Sequence, residues 1–244
     1  VFDGLEEGAA NLMAVLEGAR IRHNGLHDRG TFAPLSLLPQ REPPVYLLTG
    51  SPMSQIGSGP RIVTLSYPQL LEAVRTLRAR EPEACIILYS HDGNEGFSEA
   101  SDRQRLWADW FAAAGADIIL FAHSHCYGGF ETLEASPRKT FVAWGLGNFL
   151  FGGNRGWRSR SDVRLLSIRL DMATGGKSAC WLYGKTKNWQ FSLYRMDESV
   201  LRQVQDLGAR AAAIVGQPPV EGNEQEKADE GFGLGSLFLF WKNL

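Results

Sequence analysis

Gly115-Ala116-Asp117-Ile118-Ile119-Leu120-Phe121-Ala122-His123-Ser124-His125 is the stretch whose reading decides the fold. Five successive apolar residues from Ile118, two of them β-branched, suit a strand buried on both faces, which places His123 and His125 just past its carboxyl end. In open α/β sheets ligands bind at that end. Neutral imidazole is a common metal ligand, and two of them at i and i+2 reach a shared site if the backbone bends between them. A His-Ser-His is also ordinary polar loop sequence, so the surrounding chain has to decide.

Upstream, Cys85 to Tyr89 is a second continuous apolar run, and it ends in Ser90-His91-Asp92-Gly93-Asn94-Glu95-Gly96. Between the two runs, Leu106, Trp107, Trp110 and Phe111 predict a helix over Asp102 to Ala114, stopped by Gly115. Before them, Val45 to Thr49 reads as a strand, and Tyr67 to Arg80 as a helix closed by Pro82. Strand, helix, strand, helix, strand argues for an α/β layered sheet. Two neighbouring strands ending in His91 and in His123/His125 bring three imidazoles to one edge of it. Joined by carboxylates and an amide oxygen, such ligands suit Mn, Fe or Zn.

At the start, Leu5 to Ile21 carries apolar residues at helical spacing, and His23 to Pro44 reads as a connecting loop that leaves His23 and His27 solvated. After His125, Thr140 to Trp144, Val163 to Asp171, Ala179 to Tyr183 and Trp189 to Tyr194 are strand-like with no helix between them. They predict an antiparallel or mixed second sheet packed on the first, with a helix over Glu198 to Val215 outside it. The domain is expected to span residues 1–216. Residues 217–244 are expected to be a Gly-, Pro- and acid-rich linker with an apolar tail, Leu237 to Trp241, that docks back.

A chain of 244 residues with 44% hydrophobic content buries a proper core, and a formal net charge of −2 argues against nucleic acid as a partner. Cys85, Cys126 and Cys180 are too few and too scattered for a disulfide framework or a zinc ribbon. No stretch approaches the roughly twenty apolar residues of a spanning helix, so membrane contact is not expected of this segment. Val1-Phe2-Asp3-Gly4 runs straight into the first helix with neither methionine nor leader, so the sequence is expected to begin inside a domain.

Taken together, the ordered motifs resemble the CapA-type branch of the calcineurin-like metallophosphoesterases, associated with bacterial capsule and poly-γ-glutamate synthesis. The likeness is specific from about Cys85 to Leu170. His91-Asp92-Gly93-Asn94-Glu95 is similar to the family's His-Trp-Gly-x-Glu, and Gln104 and Ala108 to its Gln-x-x-x-Ala. Gly115 to His125 resembles its Gly-Ala-Asp-x-x-x-Gly-x-His-x-His, Gly145 to Phe151 its Ser-Leu-Gly-Asn-Phe-x-Phe, and Glu131 a glutamate that follows the histidine pair. The resemblance implies a four-layer α-β-β-α sandwich with two divalent transition-metal ions at the strand ends. His91 and His123 would hold one ion and His125 the other. His91 and Asn148 would take catalytic roles, Glu95, Arg158 and Arg160 would contact substrate, and Asp3 and Glu131 would support the ligands. A Gly-x-Gly-Asn turn such as the one around Asn148 also demands unusual backbone angles whatever the chemistry.

The chain departs from that pattern in two places: Asp92 stands where the family has tryptophan, and Phe121-Ala122 replaces its glycine and neighbour. Val1 to Gly4 resembles the tail of an Asn-His-x-x-Asp segment, so the N-terminal part of the domain, with its carboxylate and amide ligands, is expected to be missing. Asp92 is the one nearby carboxylate that could stand in for them. Two functions follow from the resemblance. One is a metal-dependent hydrolase acting on a phosphoester or related bond of an anionic small molecule or polymer. The other is a non-catalytic protein that binds a polyanion or assembles with partners on a degenerate form of the same fold. Either is expected in the cytoplasm or at a bacterial cell envelope.

Overall fold

A computed structural model describes residues 5–25, 27–28, 33–37, 43–52, 62–135, 138–149, 162–171, 176–187 and 190–193. Its elements are α1 (Leu5–Gly18), β1 (His27–Asp28), β2 (Leu35–Ser36), β3 (Val45–Gly50), β4 (Ile62–Val63), α2 (Tyr67–Arg80), β5 (Cys85–Asp92), α3 (Asp102–Ala113), β6 (Ile118–His123), β7 (Phe130–Ala135), β8 (Arg138–Ala143), β9 (Asp162–Leu170), β10 (Lys177–Lys187) and β11 (Gln190–Leu193). They fall into two compact units. The first runs to Ser124 and includes Gly128–Gly145; the second joins His125–Tyr127 to the chain from Leu146 onward.

In the first unit a six-stranded sheet has the order β2-β3-β5-β6-β8-β7. Its four inner strands are parallel and its edges antiparallel. Cys85 to Leu88 and Ile118 to Phe121 are buried without alternation, as strands covered on both faces require. Helix α2 adds Tyr67, Leu70, Val74 and Leu77 to that core, and α3 adds Ala108 and Phe111. The mixed α/β class is the one expected.

Helix α3 begins with a reciprocal cap that also reaches the strand ends. Ser101 N–H donates to Gln104 Oε1 at 2.9 Å, and Gln104 N–H to Ser101 Oγ at 3.2 Å. The buried Gln104 amide then donates to the backbone carbonyl of Asp92 at 3.2 Å. At the other end of α3, Gly115 adopts φ +105°, and a Cβ there would lie 2.9 Å from Arg78. Arg78 instead uses that space to donate to Gly115 O at 2.7 Å and to pair with Asp117 at 2.6 Å.

Three expectations are corrected here. Thr140 to Trp144 is expected in the second sheet, but β8 lies in the first, parallel to β6, with β7 folded back on its edge. The hairpin is not foreseen because Glu131 and Glu134 dilute the apolar signal of β7. His123 does not follow its strand but ends it, paired in register with Asp92. The loop from His23 to Pro44 contains the two-residue strands β1 and β2.

The second unit holds the antiparallel sheet β11-β10-β9. Its register sets Arg164 opposite Tyr183 and Leu166 opposite Trp181. The expected helix over Glu198 to Val215, the 216/217 domain boundary and the apolar tail lie outside the described residues, as do Asp3, Arg158 and Arg160.

Candidate metal centre

Regular pleating would keep His91 and His123 apart. The register pairs His91 with Ala122 and Asp92 with His123, and registered neighbours share a face, so successive residues send the two imidazoles to opposite sides. His123, however, has φ +119°, a left-handed backbone that disfavours any side chain. With the pleat broken there, the two rings lie 4.7 Å apart at an interplanar angle of 56°. Glu95 joins them, its Oε1 3.8 Å from His123 Nε2.

The histidine two residues on is also left-handed, with φ +61°, and it belongs to the second unit. There His125 Nδ1 lies 2.8 Å from Asn148 Oδ1. An amide oxygen only accepts, so Nδ1 is the donor in this contact. Asn148 is held in turn by Tyr127, whose hydroxyl donates to the Asn148 carbonyl at 2.7 Å. Gly147 lies across the Tyr127 ring: its φ is +64°, and a Cβ would stand 2.3 Å from that ring. Glycine is required there on both counts.

Asp92 takes a different part from the histidines. Its side chain is fully buried and accepts from Tyr67 Oη at 2.8 Å, from Gly93 N–H at 2.7 Å and from the Arg103 guanidinium. Tyr67 Oη also meets Ser90 Oγ at 2.6 Å. Burial first, and the Asp92 charge second, push the Tyr67 phenol far above its ordinary range, so it stays protonated and donates. Asp92 is thereby committed beneath the strand end rather than offered to an ion. Tyr67, Arg103 and Tyr127 are not singled out by the sequence, because no motif marks a supporting residue.

Imidazole nitrogen with carboxylate oxygen is a donor set that suits Mn, Fe or Zn. Among the described residues, no three His, Cys, Asp or Glu side chains group closely enough to hold an ion by themselves. The fit is therefore one of donor type, carried by the His91/His123 pair with Glu95 beside it.

Residues 1–153 match the family described as bacterial capsule synthesis protein PGA_cap. The chain belongs to that family. Its relatives include the PGA biosynthesis protein CapA of Bacillus subtilis (strain 168), 33% identical over 92 residues, and the capsule biosynthesis protein CapA of Bacillus anthracis, 29% identical over 97. Each alignment covers 38% of this chain, and 23% and 22% respectively of those proteins. Among solved structures, NAD nucleotidase (NadN) of Haemophilus influenzae is similar at a TM-score of 0.40 and 11% identity, over 85% of this chain and 44% of that one. A 5'-nucleotidase precursor from Thermus thermophilus is similar at a TM-score of 0.44 and 16% identity, over 83% and 40%.

Phe121 and Asp92, where the motifs depart from the pattern that the resemblance implies, both have structural roles. Phe121 is fully buried and stacks on Trp144, with ring centroids 5.5 Å apart and planes 7° from parallel. Glu131 fixes that tryptophan by accepting from its Nε1 at 2.7 Å, and it pairs with Arg105 at 3.4 Å. Asp92 is the centre of the buried network just described. From Leu146 to Leu193 the chain carries eight arginines and lysines against Asp162 and Asp171 alone, a surplus of six positive charges in a protein whose net charge is −2.

Proposed function

We propose that this chain is part of a metal-dependent hydrolase of the CapA type, acting on a phosphoester or related bond of an anionic substrate in capsule or poly-γ-glutamate synthesis. The observation that carries the reading is the approach of His91 to His123, because a left-handed backbone at a non-glycine residue is costly and persists where the surroundings over-determine it. His91 and His123 would hold one divalent ion, and His125 another. Bound ions of this kind polarise a phosphoryl oxygen and lower the pKa of water.

The chain's own residues then orient and support. Asn148 fixes the His125 tautomer, and Glu95 stands beside His123 where it can orient the ring or meet substrate. Glu131 holds Trp144 against Phe121, two residues before His123, and so steadies the end of β6. Arg158 and Arg160 would bring guanidinium groups to the substrate's charge, and Asp3 would back the ligands. A non-catalytic, polyanion-binding role is the second reading, favoured by the basic surplus from Leu146 to Leu193.

Titration of the chain with Mn²⁺ and Zn²⁺, followed by calorimetry and elemental analysis, tests the first reading. His91→Ala and His123→Ala should each weaken binding at least about tenfold, since each removes a nitrogen ligand. Equal occupancy in wild type and both variants sinks it. Metal binding without metal-dependent hydrolysis of an activated aryl phosphate would leave the second reading standing.

A further inference from the structure

A single glutamine grips the strand ends on both sides of β6. The first unit's sheet runs β5-β6-β8, with Asp92 registered against His123 and Ala143 against Leu120. Gln104, on α3 and fully buried, donates from Nε2 to the Asp92 carbonyl at 3.2 Å and to the Trp144 carbonyl at 3.4 Å. Its Oε1 accepts from Ser101 N–H at 2.9 Å and from Ser101 Oγ at 3.1 Å. Both donors and both lone pairs of the amide are thereby used, and because a carbonyl oxygen only accepts, the nitrogen has to face the strands.

The two carbonyls frame the histidine pair. Asp92 follows His91 directly, so the bond to its carbonyl holds the peptide that ends β5. Trp144 follows β8 and stacks on Phe121, two residues before His123. Gly93 leaves room for the amide: its φ is +143°, and a Cβ there would stand 3.4 Å from Gln104 Nε2 and 3.3 Å from Ser124, the residue after His123. Past its last ladder bonds a strand end splays unless its carbonyls find partners. Here β6 ends, at the left-handed His123, between two neighbours that one side chain ties together.

We infer that Gln104 is a positioning residue for the His91/His123 pair, its two donated hydrogen bonds setting the gap across which the imidazoles meet. This rests on the metal-dependent reading and deepens it, by assigning a residue that acts on the ligands without touching an ion. The competing role is local, because Gln104 also closes the cap of α3 with Ser101. Glutamate separates the two roles. It is an ordinary partner in such a cap and keeps an oxygen for Ser101 N–H, but its second oxygen sets an acceptor against two carbonyl oxygens. Even protonated, it donates to only one of them.

The test compares Gln104→Glu, Gln104→Met and Ser101→Ala in the full chain. In metal-free wild type the rings of His91 and His123 should show a nuclear Overhauser contact, as their 4.7 Å centroid distance requires. Both Gln104 variants should lose it, while contacts between Ile87 and Ile118, farther down the same pair of strands, persist. Both should also bind Zn²⁺ at least about tenfold more weakly, the scale of lost support for a ligand. Ser101→Ala weakens the cap but leaves the Gln104 donors in place, so it should melt earlier with ring contact and Zn²⁺ affinity unchanged. Ring contact and affinity retained in both Gln104 variants, lost equally in Ser101→Ala, or a ring contact absent from wild type, overturns the proposal. If neither Gln104 variant folds, wild type decides: both side-chain amide protons of Gln104 should be protected from exchange with water, and rapid exchange of either overturns it. A wild-type chain that binds no Zn²⁺ defeats the hydrolase reading alone, since the ring contact is read without metal.

Discussion

The Tyr67 hydroxyl donates to Asp92 Oδ2 at 2.8 Å, directly beneath the strand end that carries His91. A helix residue thereby sets the height at which β5 stops. The Asp92 side chain is wholly buried while Arg103, its cationic partner, is half exposed, so most of the pair's desolvation falls on the carboxylate. Asp92→Ala removes the acceptor and leaves the buried Tyr67 hydroxyl short of a partner. The expected loss is about 2–3 kcal/mol of unfolding free energy, read from urea denaturation without metal. A loss below about 0.5 kcal/mol, the scale of an ordinary surface substitution, would show that the network does not hold the strand end.

Tyr67 also predicts an alkaline limb. Its phenol is pushed up by burial and by Asp92, and Tyr89 is pushed up by burial, so between the unfolded and folded values the native state binds more protons than the unfolded one. The neutral phenols therefore contribute fully below about pH 10, the unfolded tyrosine value, and that contribution falls as pH rises further. Tyr67→Phe should lower stability at pH 7 by about 1 kcal/mol and flatten the decline above about pH 10. Parallel stability curves for wild type and variant on either side of that pH would refute the assignment.

At His123 the backbone and the side chain make opposite demands. A left-handed residue in a strand costs of the order of 1–3 kcal/mol, and only glycine escapes that cost. His123→Gly should therefore be more stable than His123→Ala by about 1 kcal/mol, the reverse of the usual order within a strand, while both lose metal affinity alike. Thermal melts of the two apo variants give the comparison. Alanine equal to or better than glycine would mean that φ +119° is not a constraint of the fold.

How far the sequence shows the site depends on which forces act locally. The helices α2 and α3 and the strands β3, β5 and β6 are legible, because buried apolar runs and helical spacing are properties of neighbouring residues. The placing of β8 beside β6 is not, since parallel pairing is fixed by contacts between distant segments. His91, His123 and Glu95 are legible as candidates by residue type and motif. Their approach is not, because it rests on the dihedral angle of one residue. Asp92 is a replacement ligand by residue type alone, but the sequence shows neither Tyr67 nor Arg103 converging on it from two different helices.

The turn before Asn148 offers the sharpest test of how His125 is held. Gly147→Ala meets two separate penalties: a left-handed φ of +64°, costing about 1 kcal/mol for a residue with a Cβ, and a Cβ placed 2.3 Å from the Tyr127 ring. The ring cannot simply retreat, because Trp181 meets it edge-on and Arg164 lies over its face. The turn must shift instead, taking Asn148 away from the His125 ring. Gly147→Ala is therefore expected to cost more than the dihedral term alone, about 2–4 kcal/mol in total. It should also release the His125 tautomer, seen as averaging of the two ring ¹⁵N shifts. Tyr127→Ala removes the clash but not the dihedral cost, so in a double-mutant cycle the pair should be coupled by more than about 1 kcal/mol, with Gly147→Ala nearly harmless beyond its dihedral term once the ring is gone. Tyr127→Phe separates the hydroxyl from the ring, since it keeps the clash and deletes only the donor to Asn148 O and the acceptor for Arg164 N–H. Additive effects of Gly147→Ala and Tyr127→Ala, with the His125 ring shifts unchanged in both, would show that the turn and the histidine are set independently of Tyr127.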